Sequence, residues 1–95
     1  MYELGSTLSG HNRPVKAVAM SANGKRVASG SDDYTVKIWD AETGEELRTL
    51  SGHSSSVSAV AVFADGKRVV SGSDDGTVKI WDAESGEELR TLSGH

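Results

Sequence analysis

Residues 29–53 read SGSDDYTVKIWDAETGEELRTLSGH, and residues 71–95 read SGSDDGTVKIWDAESGEELRTLSGH. Trp39 and Trp81 mark a shared register with a period of 42 residues. The same step relates His11, His53 and His95, and it relates Asp33 to Asp75. Aligning 11–52 with 53–94 leaves ten differences and 32 identical positions. A period of about 20–50 residues marks a solenoid, a propeller or another array of stacked units. One such unit cannot bury its own apolar face, so function has to be sought in an assembly. Identity this high reads as an engineered or recently amplified repeat.

Within each repeat the pattern is all β. VKAVAM at 15–20 and VSAVAVF at 57–63 are short, β-branched, nearly continuous apolar runs, which predicts strands buried on both faces. Asn23-Gly24 and Asp65-Gly66 follow, and such pairs favour tight hairpins. The next strands are 26–31 and 68–73, then a turn at Asp32-Asp33 or Asp74-Asp75-Gly76, then TVKIWD at 35–40 and 77–82. Glu42-Thr43-Gly44 and Glu84-Ser85-Gly86 lead into ELRTL at 46–50 and 88–92. Each repeat is expected to be a four-stranded antiparallel meander. Pro14 is the single proline and falls in a loop before a strand, where no ladder hydrogen bond is lost.

Composition excludes several classes. The chain has 95 residues, with 14 Asp+Glu against 10 Lys+Arg, and the cations are spread singly or in pairs. That is no footprint for nucleic acid. Without cysteine there is neither a disulfide framework nor a thiolate metal site. No apolar run approaches a membrane span, and MYELGS lacks the basic and apolar parts of a signal peptide. The expectation is a cytoplasmic protein with no cofactor, nucleic-acid or membrane partner. Gly5-Ser6 has the composition of a cloning scar.

Gly10-His11 and Gly52-His53, each followed by Ser-Gly-Ser-Asp-Asp and closed by Trp39-Asp40 or Trp81-Asp82, resemble the WD40-repeat signature over residues 7–95. The resemblance implies that each repeat is one blade of a β-propeller, with the first strand lining the central channel. It divides the chain into an N-terminal segment with a partial outer strand (1–10), blade one (11–52) and blade two with a trailing Gly-His (53–95). It also implies a structural tetrad in each blade. In blade one His11 would pair with Asp33 and accept from Ser29, and Ser29 would accept from the indole of Trp39. His53, Asp75, Ser71 and Trp81 match in blade two. Buried indole, hydroxyl and imidazole groups each cost a few kcal/mol unpaired, and a closed row of partners removes that cost.

A Ser-His-Asp row also suggests a hydrolase triad. The serines sit mid-strand, with no nucleophile elbow and no oxyanion loop, and two copies at one spacing argue for architecture, so the expectation is no enzyme and no catalytic residue. Asp74-Asp75-Gly76 lacks the later acidic ligands of a calcium loop and reads as a turn, leaving no metal site. Lys25-Arg26 and Lys67-Arg68 read as solvated hairpin ends.

The loop differences set blade one apart: Asn12-Arg13-Pro14 stands for Ser54-Ser55-Ser56, Lys16 for Ser58 and Tyr34 for Gly76. In the family these loops share a rim that receives protein or peptide ligands, so Arg13, Lys16 and Tyr34 are the rim-binding candidates, with drift at exposed tips as the plainer alternative. Propellers need about four to eight blades, and two are present. Copies of the chain are therefore expected to close a ring, as a homotetramer of eight blades or, second, a homotrimer of six. Residues 3–8 and 88–92 compete for the outer strand of blade two. The C-terminal segment is expected to win, leaving His95 outside any tetrad.

Overall fold

The computed structural model describes residue 11 and residues 13–93. Eight strands follow one another: β1 (Val15–Met20), β2 (Arg26–Ser31), β3 (Thr35–Asp40), β4 (Glu46–Ser51), β5 (Val57–Val62), β6 (Arg68–Ser73), β7 (Thr77–Asp82) and β8 (Glu88–Ser93). They form two four-stranded antiparallel meanders, β1-β2-β3-β4 and β5-β6-β7-β8. The outer strand of blade two is therefore β8. Residues 3–8 and His95 lie outside the described residues.

Turn chemistry sets the reversals. Gly24 and Gly66 adopt φ of 75° and 74°. Of each Asn-Gly or Asp-Gly pair only the glycine enters the left-handed region, so neither turn is the two-residue type that needs positive φ twice. Asp40 closes β3 by accepting the N–H groups of Glu42 at 2.8 Å and Thr43 at 3.1 Å. Those bonds, Thr43 first, hold its carboxyl below the ordinary carboxylate range, and Asp82 repeats the arrangement with Ser85 and Glu84. Tyr34 occupies the position of Gly76 with φ of 78° against 89°, a conformation that L side chains adopt only under strain.

Pairing fixes which side chains share a face. Ala28 lies opposite Ile38, and Val36 opposite Leu50, on one side of blade one. Val57, Val60 and Val62 lie with Val69 and Trp81 on one side of blade two. These two sides meet and form the core, in which Ala28, Val36, Ile38 and Leu50 enclose Val57, Val69 and Trp81. The approach is close at Gly30, where a Cβ would stand 2.5 Å from Val57 Cγ1 and 3.1 Å from Val60 Cγ1. Arg48 adds a polar tie across the joint, its Nε donating to the Glu84 carbonyl at 2.7 Å.

The expectation that 15–20 and 57–63 are buried on both faces is wrong. Val15, Val18 and Met20 are exposed on β1, and β5 buries only Val57 fully while Phe63 lies exposed past its end. Apolar runs of this kind signal that both faces want cover. In this chain each inner strand has a neighbouring blade on one side at most.

Candidate functional site

In each blade a loop histidine, a mid-strand serine, a turn aspartate and a strand tryptophan are brought together. Because Val27 pairs with Trp39, Ser29 lies on the same face two residues further along β2, within reach of the indole. Trp39 Nε1 donates to Ser29 Oγ at 2.9 Å, His11 Nε2 lies 2.7 Å from that oxygen, and His11 Nδ1 lies 2.9 Å from Asp33 Oδ2. In blade two the distances are 2.8, 2.7 and 3.1 Å for Trp81, Ser71, His53 and Asp75. A hydroxyl has one proton. The carboxylate only accepts, which assigns the imidazole proton to Nδ1; Nε2 of the neutral ring then accepts the serine proton, while the serine oxygen accepts the indole N–H. The rings of histidine and tryptophan meet edge to face in both blades, with centroids 6.5 and 6.2 Å apart.

The glycine before the histidine has its own reason. A Cβ on Gly52 would stand 3.2 Å from the Trp81 ring and 3.1 Å from Glu88 Oε1, so a side chain there would press on the indole. Ser71 is 0 % exposed, and its oxygen is already engaged twice, which leaves an incoming acyl group no approach.

Two further groups were not singled out by sequence reasoning. Thr35 joins the row by donating its N–H to Asp33 Oδ1 at 3.0 Å and its hydroxyl at 2.5 Å, and Thr77 does the same to Asp75 at 2.9 and 2.6 Å. Burial works to raise the Asp75 carboxyl. The Thr77 hydroxyl, the N–H groups of Ser54 and Thr77, and His53 outweigh it and hold the group well below the carboxylate range. The second group is a buried lysine on β3 and on β7. Lys37 Nζ donates to Glu46 Oε2 at 3.0 Å and to Thr49 Oγ1 at 2.8 Å; Lys79 bonds Glu88 and Thr91 at 3.1 and 2.9 Å. Thr49 and Thr91 hydroxyls, then the lysines, lower the Glu46 and Glu88 carboxyls. A charge is tolerated at this depth because each ammonium has a carboxylate and a hydroxyl within hydrogen-bond reach. The signal available in sequence was repetition alone, which flags Thr35, Lys37, Thr77 and Lys79 no more than their neighbours. Among the described residues no buried side-chain nitrogen or oxygen lacks a hydrogen-bond partner.

The rim candidates fall into two arrangements. Arg13 and Tyr34 line one cleft of about 470 Å³ with Asp32, Asp33 and Ser56, so it spans loops of both blades. Lys16 is not in its lining; its ammonium stands 3.6 Å from Asp32 Oδ2 at a solvent-exposed site. At another part of the surface Lys25, Arg26 and Lys67 share a cleft of about 170 Å³ with Asp65 and Glu84, so the two basic hairpin ends converge and are balanced by carboxylates. Among the described residues no group of three or more His, Asp or Glu is placed to hold a metal ion.

A relative in Podospora anserina, the vegetative incompatibility protein HET-E-1, is 63% identical over 38 residues, which is 40% of this chain and 3% of that protein. A ribosome biogenesis protein BOP1 homolog from Oryza sativa subsp. japonica is 51% identical over 39 residues, 41% of this chain and 6% of the relative. The solved structure of U3-55K superposes with a TM-score of 0.86 at 34% identity, covering 92% of this chain and 27% of that one. The chain thus spans a small part of each protein it resembles. The family model described as WD domain, G-beta repeat matches residues 2–40 and 44–82. Each match ends on a Trp-Asp pair whose tryptophan holds the serine and histidine described above, and with both blades so matched the chain belongs to the WD40-repeat family.

Proposed function

We propose that this chain is a non-enzymatic scaffold module whose identical copies close into a complete propeller. One observation carries the reading: the two outward faces are the two halves of the joint the chain already makes. Blade one turns Val15, Val18 and Met20 outward, the counterparts of Val57, Val60 and Val62 in the core. Blade two turns outward Leu89 and Leu92, the counterparts of Leu47 and Leu50. A surface that carries both halves of one interface is built for head-to-tail association, which closes when the rotation per copy divides a full turn. Eight blades from four copies is the preferred ring, because Ala17, Ala19, Ala59 and Ala61 keep the inner strands slim; six from three copies comes second.

The test uses two glycines. A Cβ on Gly30 meets Val57 and Val60 across the internal joint, whereas one on Gly72 meets only Ala59 Cβ of its own sheet at 3.8 Å. Gly72→Ala leaves the isolated chain undisturbed and obstructs a second copy. Sedimentation should show an assembled parent chain and a folded, dissociated Gly72→Ala variant. A variant that assembles like the parent contradicts the reading.

A second reading, binding of a protein or peptide ligand at the rim, is favoured by the cleft that joins Arg13 and Tyr34 across two blades. Replacing Arg13, Lys16 and Tyr34 by Ser, Ser and Gly, their blade-two counterparts, should leave the ring intact and abolish any ligand captured there. Dissociation of the ring would instead make them joint residues.

A further inference from the structure

Ten positions distinguish the repeats, and three of them change an apolar side chain on the joint surfaces: Met20 against Val62, Ser21 against Phe63, and Ala28 against Val70. The larger or more apolar member stands on an outward face every time. Met20 and Phe63 are exposed, and Val70 lies opposite Ile80 on the uncovered side of blade two. Their smaller counterparts Ser21, Ala28 and Val62 all serve the internal joint. Resting on the reading of assembly above, we infer that the joint between copies is a distinct and tighter interface than the joint within the chain, anchored by Phe63.

The internal joint supplies its geometry. Ser21 Cβ and Arg26 Cγ stand 3.6 and 3.7 Å from where a Gly66 Cβ would lie, so the end of β1 and the start of β2 rest on the Asp65-Gly66 turn of the next blade. Arg48 Cδ and Leu50 Cδ2 rest likewise on Gly86, and Arg48 Nε bonds the Glu84 carbonyl. Moved on by one repeat, Phe63 and Arg68 cover the Asn23-Gly24 turn of a second copy, and Arg90 donates to its Glu42 carbonyl. The space required is present. Gly24 has nothing within 4 Å of its Cβ position, and a concavity of about 440 Å³ opens beside Phe63, Ile80, Leu89 and Arg90. Where the internal joint has a serine hydroxyl satisfied by Asn23 at 2.5 Å, the joint between copies has a phenyl ring, whose burial contributes favourably and without a polar partner.

Phe63→Ser installs the blade-one residue at the blade-two position. Because Phe63 is exposed in the single chain, circular dichroism of the dissociated protein should not change. Concentration-dependent sedimentation should show that the variant needs on the order of tenfold or more protein to assemble, the effect of losing one buried aromatic. Arg90→Ala removes the polar tie and should raise that concentration by a smaller factor. If the parent assembles and both variants assemble at the same concentration as the parent, the inference is overturned while the scaffold reading stands. A parent chain that stays monomeric overturns both.

Discussion

Blades one and two share almost all their residues and bury them differently. Leu50 is 1 % exposed and Leu92, its counterpart, 50 %; Val57 is 0 % exposed and Val15, its counterpart, 45 %. Nothing in either blade's own sequence accounts for this. Blade one has a neighbour on its Leu50 side, and blade two has one on its Val57 side. By contrast the histidine-serine-tryptophan rows agree between blades to within about 0.2 Å at every distance given above. The difference teaches that a blade's hydrogen-bonded interior is specified within the repeat, while its apolar faces are specified by whatever stacks on them.

The largest expected effect comes from carboxyls in both blades. Asp75, Glu46 and Glu88 have carboxyls held below their ordinary range in the folded chain. A lowered folded value means the stabilisation is fully present above the unfolded value near 4 and is lost as pH falls through it toward the folded one. Melting temperature should be flat with respect to these groups from about pH 5 upward and should fall steeply below about pH 4. A melting temperature that rises on acidification would contradict the assignment. His53→Ala comes next. It strips partners from buried Ser71 and from Asp75, and should cost about 2–4 kcal/mol in denaturant unfolding. An unchanged midpoint would reduce the histidine to a loop residue.

Gly30→Ala addresses the faces directly. Its Cβ would press on Val57, a stiff and fully buried side chain, at a cost of about 1–3 kcal/mol. The matching change at Gly72 should cost nothing in a dissociated chain, and equal costs at the two sites in that state would break the contrast between covered and outward faces. The smallest effect is at the rim turn. Tyr34→Gly gives blade one the residue that blade two already uses at positive φ, and should stabilise by about 1 kcal/mol. Loss of stability would show that the exposed ring makes a contact worth more than the strain.

Much of this was legible in the sequence, for identifiable reasons. Trp39 and Trp81 set the register, Gly24, Gly44, Gly66, Gly76 and Gly86 all turn with positive φ, and the strands fall where alternation and apolar runs place them. His11, Ser29, Asp33 and Trp39 were brought together by resemblance to the family; spacing alone gives no reason for Ser29 rather than Ser31. Burial of 15–20 was misjudged because VKAVAM is written for two neighbours. Met20 and Val70 are silent in sequence because each replaces one apolar residue by another, and Phe63 in place of Ser21 acquires its meaning only once the pairing shows which face it occupies. Thr35 and Lys37 were missed because in a repeat that recurs almost unchanged, identity cannot separate a hydrogen-bonding partner from a bystander.

The central claim is that the two outward faces cover one another in successive copies. The mass of the folded chain in solution at micromolar concentration tests it most directly. A single species of three or four chain masses is predicted, giving six or eight blades. A stable, cooperatively folded monomer would contradict it.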